Sequence, residues 1–504
     1  MNRFLSITLS LMVFACSGSI QSSETDSSYT VVVYNIENLF DADGIAVFDD
    51  YKPDVYTPRH VYTKISNAVS ILSQFNDGNG PDILILSEVE SDHTQPNGPT
   101  QIDATSFLST YSSTSLDKML GDEFNEIIAD IPSEYLLLKG FADAGIQDYD
   151  VISAYNPLQD NRPTHVQKNV ILSRLPIDHS QSRSHTLEEA RPILEAWIDV
   201  DGHPLVVFAN HWKSGASNAE IEKTRVQNAT VLKSRLDELR SENPGIDFIL
   251  GGDFNSDYNQ NHRYPYMEVT GVNDVLKSTG DESMVAMGGT DAVYNLWYEH
   301  PIDRRGSDTY RGYWGTLMQF MVSPGLYDFE GVQYVDNSFD VLRIPDVNVY
   351  SNSGEPIRWS SFNDGFGYSD HLPISMKITV SDNMDAGSIM TLQNFSTTDD
   401  EQWEPIQVKV EIPVAGEYLE LNSTSGSLKT VDYFGKLIKV EGVLIAANKI
   451  KVRDEEFDLY SPVVDVRDVF VGKAGETIHF YGRVGLFRGN WQFVIESEEY
   501  FLTE

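Results

Sequence analysis

The sequence predicts an α/β domain followed by a smaller all-β domain. Three observations carry this. From Tyr29 to about Val380, short apolar runs rich in β-branched and aromatic residues alternate with helical stretches. After a polar, turn-rich segment at Ser381–Ser388 the helical pattern stops and only strand patterns remain. Within the first region, five polar stations each sit at the end of a strand or just before one: YNIENLFD (Tyr34–Asp41), ILSEVES (Ile85–Ser91), FANHWKS (Phe208–Ser214), GGDFNSD (Gly251–Asp257) and YSDHLP (Tyr368–Pro373).

The elements follow in order. Strands are expected at Thr30–Tyr34, Asp82–Ser87, Asn169–Ser173, Ile193–Val200, Pro204–Ala209, Asp247–Leu250, Gln319–Val322 and Ile374–Val380. Tyr62–Phe75 places apolar residues at helical spacing and ends at a Gly-rich turn. Ala219–Leu239 is a longer helical pattern with charge on one face. Beyond the 381–388 linker, Leu437–Ala446, Lys449–Arg453, Glu476–Leu486 and Trp491–Glu496 read as strands, with Gly442, Gly482 and Gly489 as bends or bulges. Residues 389–504 therefore resemble an OB-like barrel. Its Phe480, Phe487, Trp491 and Phe493 serve either as stacking platforms for bases or as barrel core.

Composition bounds the rest. The 504 residues suffice for two to four domains. There are 76 acidic against 36 basic Lys and Arg side chains, a formal net charge of -40. Such an exterior argues against broad capture of DNA by phosphate neutralisation, but it leaves room for a local basic cleft, because distant charges are screened over about 8 Å at physiological salt. The single cysteine, Cys16, excludes an intrachain disulfide. Met1–Ala15 has a basic start, an apolar run and small residues before Cys16, the pattern of an export signal and too short to span a bilayer. Val13-Phe14-Ala15-Cys16 resembles a bacterial lipobox, which implies cleavage before Cys16 and lipid attached to it; the alternative is an ordinary export signal with an incidental cysteine. Residues 16–28 then form a flexible tether. The expected location is the cell envelope, at the outer membrane or outside the cell; the oligomeric state is open.

The stations supply Asn35, Glu37, Glu88, His211, Asp253, Asn255, Asp370 and His371. Oxygen and imidazole groups of this kind suit a hard divalent cation beside a general acid or base, the chemistry of phosphate-ester cleavage. Asn35 and Glu37 are two apart and should share one face of a strand. Gly251 and Gly252 let the backbone turn tightly, so that Asp253 and Asn255 project together. Taken singly, each station also reads as a wet strand end, a cap or a structural histidine.

Taken in order, with QKNVILSRLPI (Gln167–Ile177) and RPILEAW (Arg191–Trp197) between them, the motifs resemble the endonuclease/exonuclease/phosphatase superfamily of DNase-I-like proteins across roughly Tyr29–Val380. YNIENLFD and LSEVES are similar to its bacterial extracellular nuclease branch. The resemblance implies a four-layer α/β sandwich with the site at one edge, where strand ends converge. It implies Glu88 as the principal Mg2+ ligand, with Glu37 and Asp370 close by, and Mn2+ or Ca2+ as alternative ions. Asn35 would lie near the scissile phosphate. Asp253 would orient or deprotonate the attacking water, with Asn255 fixing water or phosphate. His211 would assist the leaving group, and His371 would hydrogen-bond the phosphate. Arg174, Arg191, Lys213 and Arg225 could line the site as phosphate contacts, or be surface charges paired with neighbouring Glu.

One departure stands out. The family carries an Asp that orients the last His; here Met318 occupies that position in Leu317–Ser323. Either another acid such as Asp308 substitutes, or the enzyme is slower, or the chain has lost catalysis. Three functions follow: a metal-dependent nuclease on DNA or RNA, a phosphomonoesterase or lipid phosphodiesterase on the same scaffold, or a surface-anchored binding protein.

Overall fold

The computed structural model describes residues 28–91, 102–155, 158–159, 162–163, 165–187, 189–381 and 405–502. The export signal, Cys16, tether residues 16–27 and most of the 381–388 linker lie outside them. Ser28, assigned to the tether by sequence, is the first residue of a strand and pairs with Thr379.

Two sheets form the first domain. One runs in the order Gly331–Tyr334, Ile374–Ser381, Ser28–Leu39, Ile83–Glu90, Gln167–Ser173, Asp150–Ser153, with Asp340–Val341 also paired to Ile374–Ser381. The other runs Ser278–Thr279, Val293–Asn295, Met318–Val322, Phe248–Asp253, His203–His211, Ile193–Val200, Arg183–His185. Strand alternation assigns the faces. Val31, Val33, Ile83 and Ile85 meet Leu205, Val207, Ala209 and Ile249 in a buried core between the sheets. Their neighbours Val32, Leu84 and Leu86 point outward, against Val61, Ile65 and Ala68 of the helix Pro58–Leu72 and Leu136–Leu138 of the helix Ser133–Asp143. On the far side, Val206, Phe208, Phe248 and Leu250 pack under Leu232, Leu236 and Leu239 of the helix Ala219–Glu242. Helix, sheet, sheet, helix is the four-layer sandwich expected.

Each sheet has one parallel pair at its centre, Ser28–Leu39 with Ile83–Glu90 and His203–His211 with Phe248–Asp253. The carboxyl ends of these strands gather at one edge, where α/β sheets place their ligands. Gly251 lets the sheets come close there: a Cβ on it would stand 2.8 Å from Ile85 and 2.9 Å from Val33. Gly252 has φ of 141°, and a Cβ on it would meet the Asn210 carbonyl oxygen at 2.0 Å.

Differences from the expected elements have local causes. The first helix begins at Pro58 rather than Tyr62, because Thr57 and His60 form a capping box with proline in the first turn. The strands Asp150–Ser153 and Arg183–His185 were not expected; each is short and lies at a sheet edge, with too few residues to show a period.

The all-β domain is present. Leu437–Ala446 pairs with both Lys449–Val452 and Thr477–Phe487, and the pairings continue through Glu455–Tyr460 and Asn490–Val494 in a five-strand cycle. Phe480 and Phe493 are fully buried in its core, which removes them as stacking platforms. Trp491 packs on Phe362 of the first domain, ring centroids 5.0 Å apart. Of the four aromatics Phe487 is the exposed one, at 59%, with the Arg488 guanidinium 5.2 Å from its ring centroid.

Candidate active site

The backbone at the convergent edge departs from regular strand. Glu37, Asn38, Glu88 and Asn255 all adopt left-handed φ, between 47° and 63°. Such a conformation costs a non-glycine residue about 1–3 kcal/mol and persists only where the surroundings impose it. Pairing registers slip between Asn35 and Leu39 and again between Leu86 and Val89. These irregularities re-aim Glu88. They also overturn the expectation that Asn35 and Glu37 share a strand face: the Glu37 backbone N–H donates to the Asn35 side-chain oxygen at 3.0 Å, and the two side chains separate.

The Asn35 amide donates to Glu88 Oε1 at 3.1 Å and to Asp253 Oδ2 at 3.0 Å, so one residue ties a carboxylate of its own sheet to a carboxylate of the other. His211 Nε2 lies 3.7 Å from Glu88 Oε1 and 3.8 Å from Asp253 Oδ2. His371 Nε2 lies 3.8 Å from Asp253 Oδ2 and 3.9 Å from Asp370 Oδ1. Asp253 Oδ1 accepts from the Asn255 N–H, and the Asn255 amide donates to the Trp212 carbonyl. Ser369, inside the YSDHLP motif, donates to the Asn35 carbonyl and accepts from the His371 N–H. Six of the eight side chains are thus linked within one constellation, and Asn255 joins it through its backbone N–H.

Glu37 stands at its margin. Its carboxylate accepts from the Trp359 N–H at 3.0 Å and lies 3.8 Å from Arg358, which also contacts Asp370 at 3.0 Å. Ligand atoms of Glu88, His211 and Asp253 lie within 4.8 Å of one another, a donor set of two carboxylates and an imidazole that suits a divalent cation. Glu88 is common to this set and to the sequence-derived set of Glu88, Glu37 and Asp370. A second acidic group, Glu282, Glu299 and Asp336, meets the same spacing elsewhere in the domain.

The electrostatics fit an ion centre. Burial pushes the Glu88 carboxyl up, with Asp370 adding to it, and burial also raises Asp253. Glu37 is pushed up to about 8 by burial and by Asp370, against the pull of Arg358 and Lys64. A cation bound among such acids would displace their protons. The two histidines diverge. Burial, together with Arg191 and His371, holds the His211 imidazole well below its usual range. Burial also acts against the His371 cation, but Asp370, Asp253, Asp308 and Glu88 outweigh it and raise the ring to about 9. One imidazole is therefore neutral and the other protonated near neutrality, an acid–base division set by surroundings.

Met318 pairs with Asp253 across the sheet and is wholly buried. Asp308 lies close by in space: it forms an isolated bridge with His371, and its Oδ1 accepts from the Leu317 N–H at 3.2 Å. Burial raises its carboxyl to about 6, with His371 pulling the other way. Gly315 makes room for it, since a Cβ there would fall 2.2 Å from Asp308 Oδ2.

The four basic candidates divide. Arg191 reaches the site, donating to Gln167 Oε1 and the Trp212 carbonyl, and its charge acts on Glu88 and Asp253. Lys213 follows Trp212 on the exposed rim. Arg174 does not reach it. It follows Ser173, which pairs with Ile83 at the start of the Glu88 strand, and it is bound to Asp82 and the carbonyls of Asn79 and Gly80 at the opposite sheet edge. Arg225 is fully buried, paired with Glu222, and holds the Lys213 and Ala216 carbonyls. Its guanidinium shapes the loop after His211 and offers nothing to a phosphate. Sequence reasoning missed Arg358, Trp359 and Lys64. Lys64 carried a signal, a lysine on the helix stripe of Val61, Ile65 and Ala68; Arg358 and Trp359 lie in a loop and carried none.

Residues 177–380 match the model of the Endonuclease/Exonuclease/phosphatase family. Over that stretch the chain is similar to the endonuclease/exonuclease/phosphatase family, whose members are typically metal-dependent phosphoester hydrolases. No curated protein sequence matches the chain. Similar solved structures include truncated TDP2 from Caenorhabditis elegans (14% identity, 70% of this chain and 97% of that chain, TM-score 0.37). They also include the mannosyl-6-phosphatase Bt3783 of Bacteroides thetaiotaomicron (15%, 70% and 99%, 0.36) and a beta toxin of Staphylococcus aureus (13%, 69% and 99%, 0.38).

The structural role of Arg225 is testable. Arg225→Ala leaves Glu222 buried without its partner and should lower the free energy of unfolding by about 3–5 kcal/mol in urea denaturation; a loss below about 1 kcal/mol would contradict the assignment.

Proposed function

We propose that the chain is a metal-dependent phosphodiester hydrolase, an exported nuclease acting on DNA or RNA and anchored to the cell envelope through lipid on Cys16. The observation that carries the hydrolase reading is the Asn35-bridged pair Glu88–Asp253, with both histidines within 3.9 Å of its carboxylates or of Asp370. Phosphoryl transfer needs positioned charge more than covalent chemistry, and this is what the site offers. Glu88, with His211 and Asp253 around it, would hold the cation, Mg2+ in the first instance, which supplies Lewis acidity toward a phosphoryl oxygen. The chain's own groups do the rest. Asp253, fixed by Asn35 and the Asn255 N–H, is placed to orient a water and accept its proton. His371, kept cationic by its acidic neighbours, can donate to a phosphoryl oxygen as charge develops. Arg191 and Lys213 give a basic rim to an otherwise acidic molecule. The nuclease choice within the class rests on the likeness of YNIENLFD and LSEVES to the bacterial extracellular nuclease branch.

The test is a panel of plasmid DNA, RNA, p-nitrophenyl phosphate and sphingomyelin, each with Mg2+ and then with EDTA. DNA or RNA should be cut, chelation should stop it, and Asp253→Asn should lower the rate by at least 10³. Turnover of only the monoester or the lipid would transfer the site to that substrate class. Metal-dependent turnover of nothing, beside ligand binding by the all-β domain, would leave a binding protein.

Asp308 is proposed as the acid that serves in place of the one Met318 lacks. Loss of such an orienting carboxylate costs on the order of 10⁴ in rate in an unrelated triad. Asp308→Ala should therefore lower kcat at least 100-fold, and adding Met318→Asp to that variant should restore at least tenfold. No recovery in a folded double variant would assign Asp308 to loop structure alone.

A further inference from the structure

Lys64 is a buried charged group beside the site that the proposed reaction leaves unused. It sits on the helix Pro58–Leu72, among Val61, Ile65 and Ala68, and is 1% exposed. Its Nζ has no hydrogen-bond partner in the protein. The ammonium lies 4.4 Å from the centroid of the Trp359 ring, a cation–π contact made in a desolvated setting. Burial pulls its ammonium down to about 8, against Glu37, Glu88 and Asp370, whose charges favour the protonated form.

An unpaired ammonium inside a protein is costly, and a methionine or leucine would fill the same volume without that cost. The position makes sense only through the acids it faces. Glu37 is enclosed on one side by Trp359, whose N–H it accepts, and approached on another by Arg358, which also binds Asp370. Lys64 and Arg358 thus flank the Glu37–Asp370 half of the site with two cations of the chain itself. The Glu88–His211–Asp253 half holds the clustered ligand atoms.

We propose that Lys64 is a fixed cation of the site, which with Arg358 neutralises the Glu37–Asp370 half and takes the place of a second divalent ion there. One divalent ion, at Glu88, then suffices. Lys64 is a positioning residue: it acts through the Trp359 ring that it touches, whose backbone N–H holds Glu37, and through its charge on Glu37, and it never meets substrate. The inference rests on the reading of this site as a cation-dependent hydrolase, so its test reads cation binding separately from turnover.

Mn2+ would be titrated into the full-length protein by calorimetry, with wild type compared to Lys64→Met and Lys64→Arg. Lys64→Met should bind one more ion per chain than wild type, or bind Mn2+ at least tenfold more tightly, while kcat falls at least tenfold. Lys64→Arg should keep the wild-type stoichiometry. A purely structural lysine predicts no gain in cation binding. Folded Lys64→Met with unchanged stoichiometry and affinity would overturn the proposal. If Lys64→Met fails to fold, Lys64→Gln must show the same gain, and its failure to do so would overturn the proposal equally. Gained Mn2+ binding without phosphoester turnover by any of the proteins would remove the hydrolase reading and retain the fixed cation. Turnover by wild type, with binding unmoved by the substitutions, would do the reverse.

Discussion

The Asn35 side-chain amide joins the carboxylates of the two sheets where the chemistry is expected. Asn35 comes from the first sheet and donates to Glu88 of that sheet and to Asp253 of the other. Two carboxylates held this close repel unless donors or a cation separate them. The amide supplies the donors, and its own oxygen is fixed by the Glu37 N–H. The arrangement is possible because Gly251 allows the sheets to approach and Gly252 allows the turn that aims Asp253. The left-handed residues Glu37, Asn38, Glu88 and Asn255 concentrate at this edge.

The surroundings then divide the labour. His211 and His371 approach the same carboxylate, Asp253, yet burial dominates one ring and acidic neighbours dominate the other. The division needs no difference in intrinsic chemistry. The net charge of -40 belongs to the whole chain; beside its own carboxylates the site gathers Arg191, Arg358, Lys64 and the His371 cation. Electrostatic action at such a centre is local, because exposed charges farther away are screened.

Much of this was legible in the sequence. Strand runs of four to eight residues followed by polar stations located Glu88, His211 and Asp253 at strand ends, and the two glycines before Asp253 marked a close approach. Glu37 was misjudged because period-two reasoning holds only while the strand is regular, and the bulge after Asn35 ends that regularity. Arg174 and Arg225 were misjudged because a guanidinium near a motif in sequence can be committed elsewhere in space: to Asp82 and loop carbonyls in one case, to Glu222 in the other. Partner choice is a tertiary property. Arg358 and Trp359 were invisible for the same reason, since they join the site from a loop, Trp359 lying 322 residues beyond Glu37. Met318 was visible as a departure, but that Asp308 bridges to His371 depends on a strand contact that no local pattern announces.

Whether these strand ends converge on one cation is read directly by anomalous scattering from crystals grown with Mn2+. A peak is expected at coordination distance, about 2.0–2.6 Å, from a Glu88 carboxylate oxygen, with His211 or Asp253 beside it. Manganese found only among Glu282, Glu299 and Asp336, with none at Glu88, would contradict it.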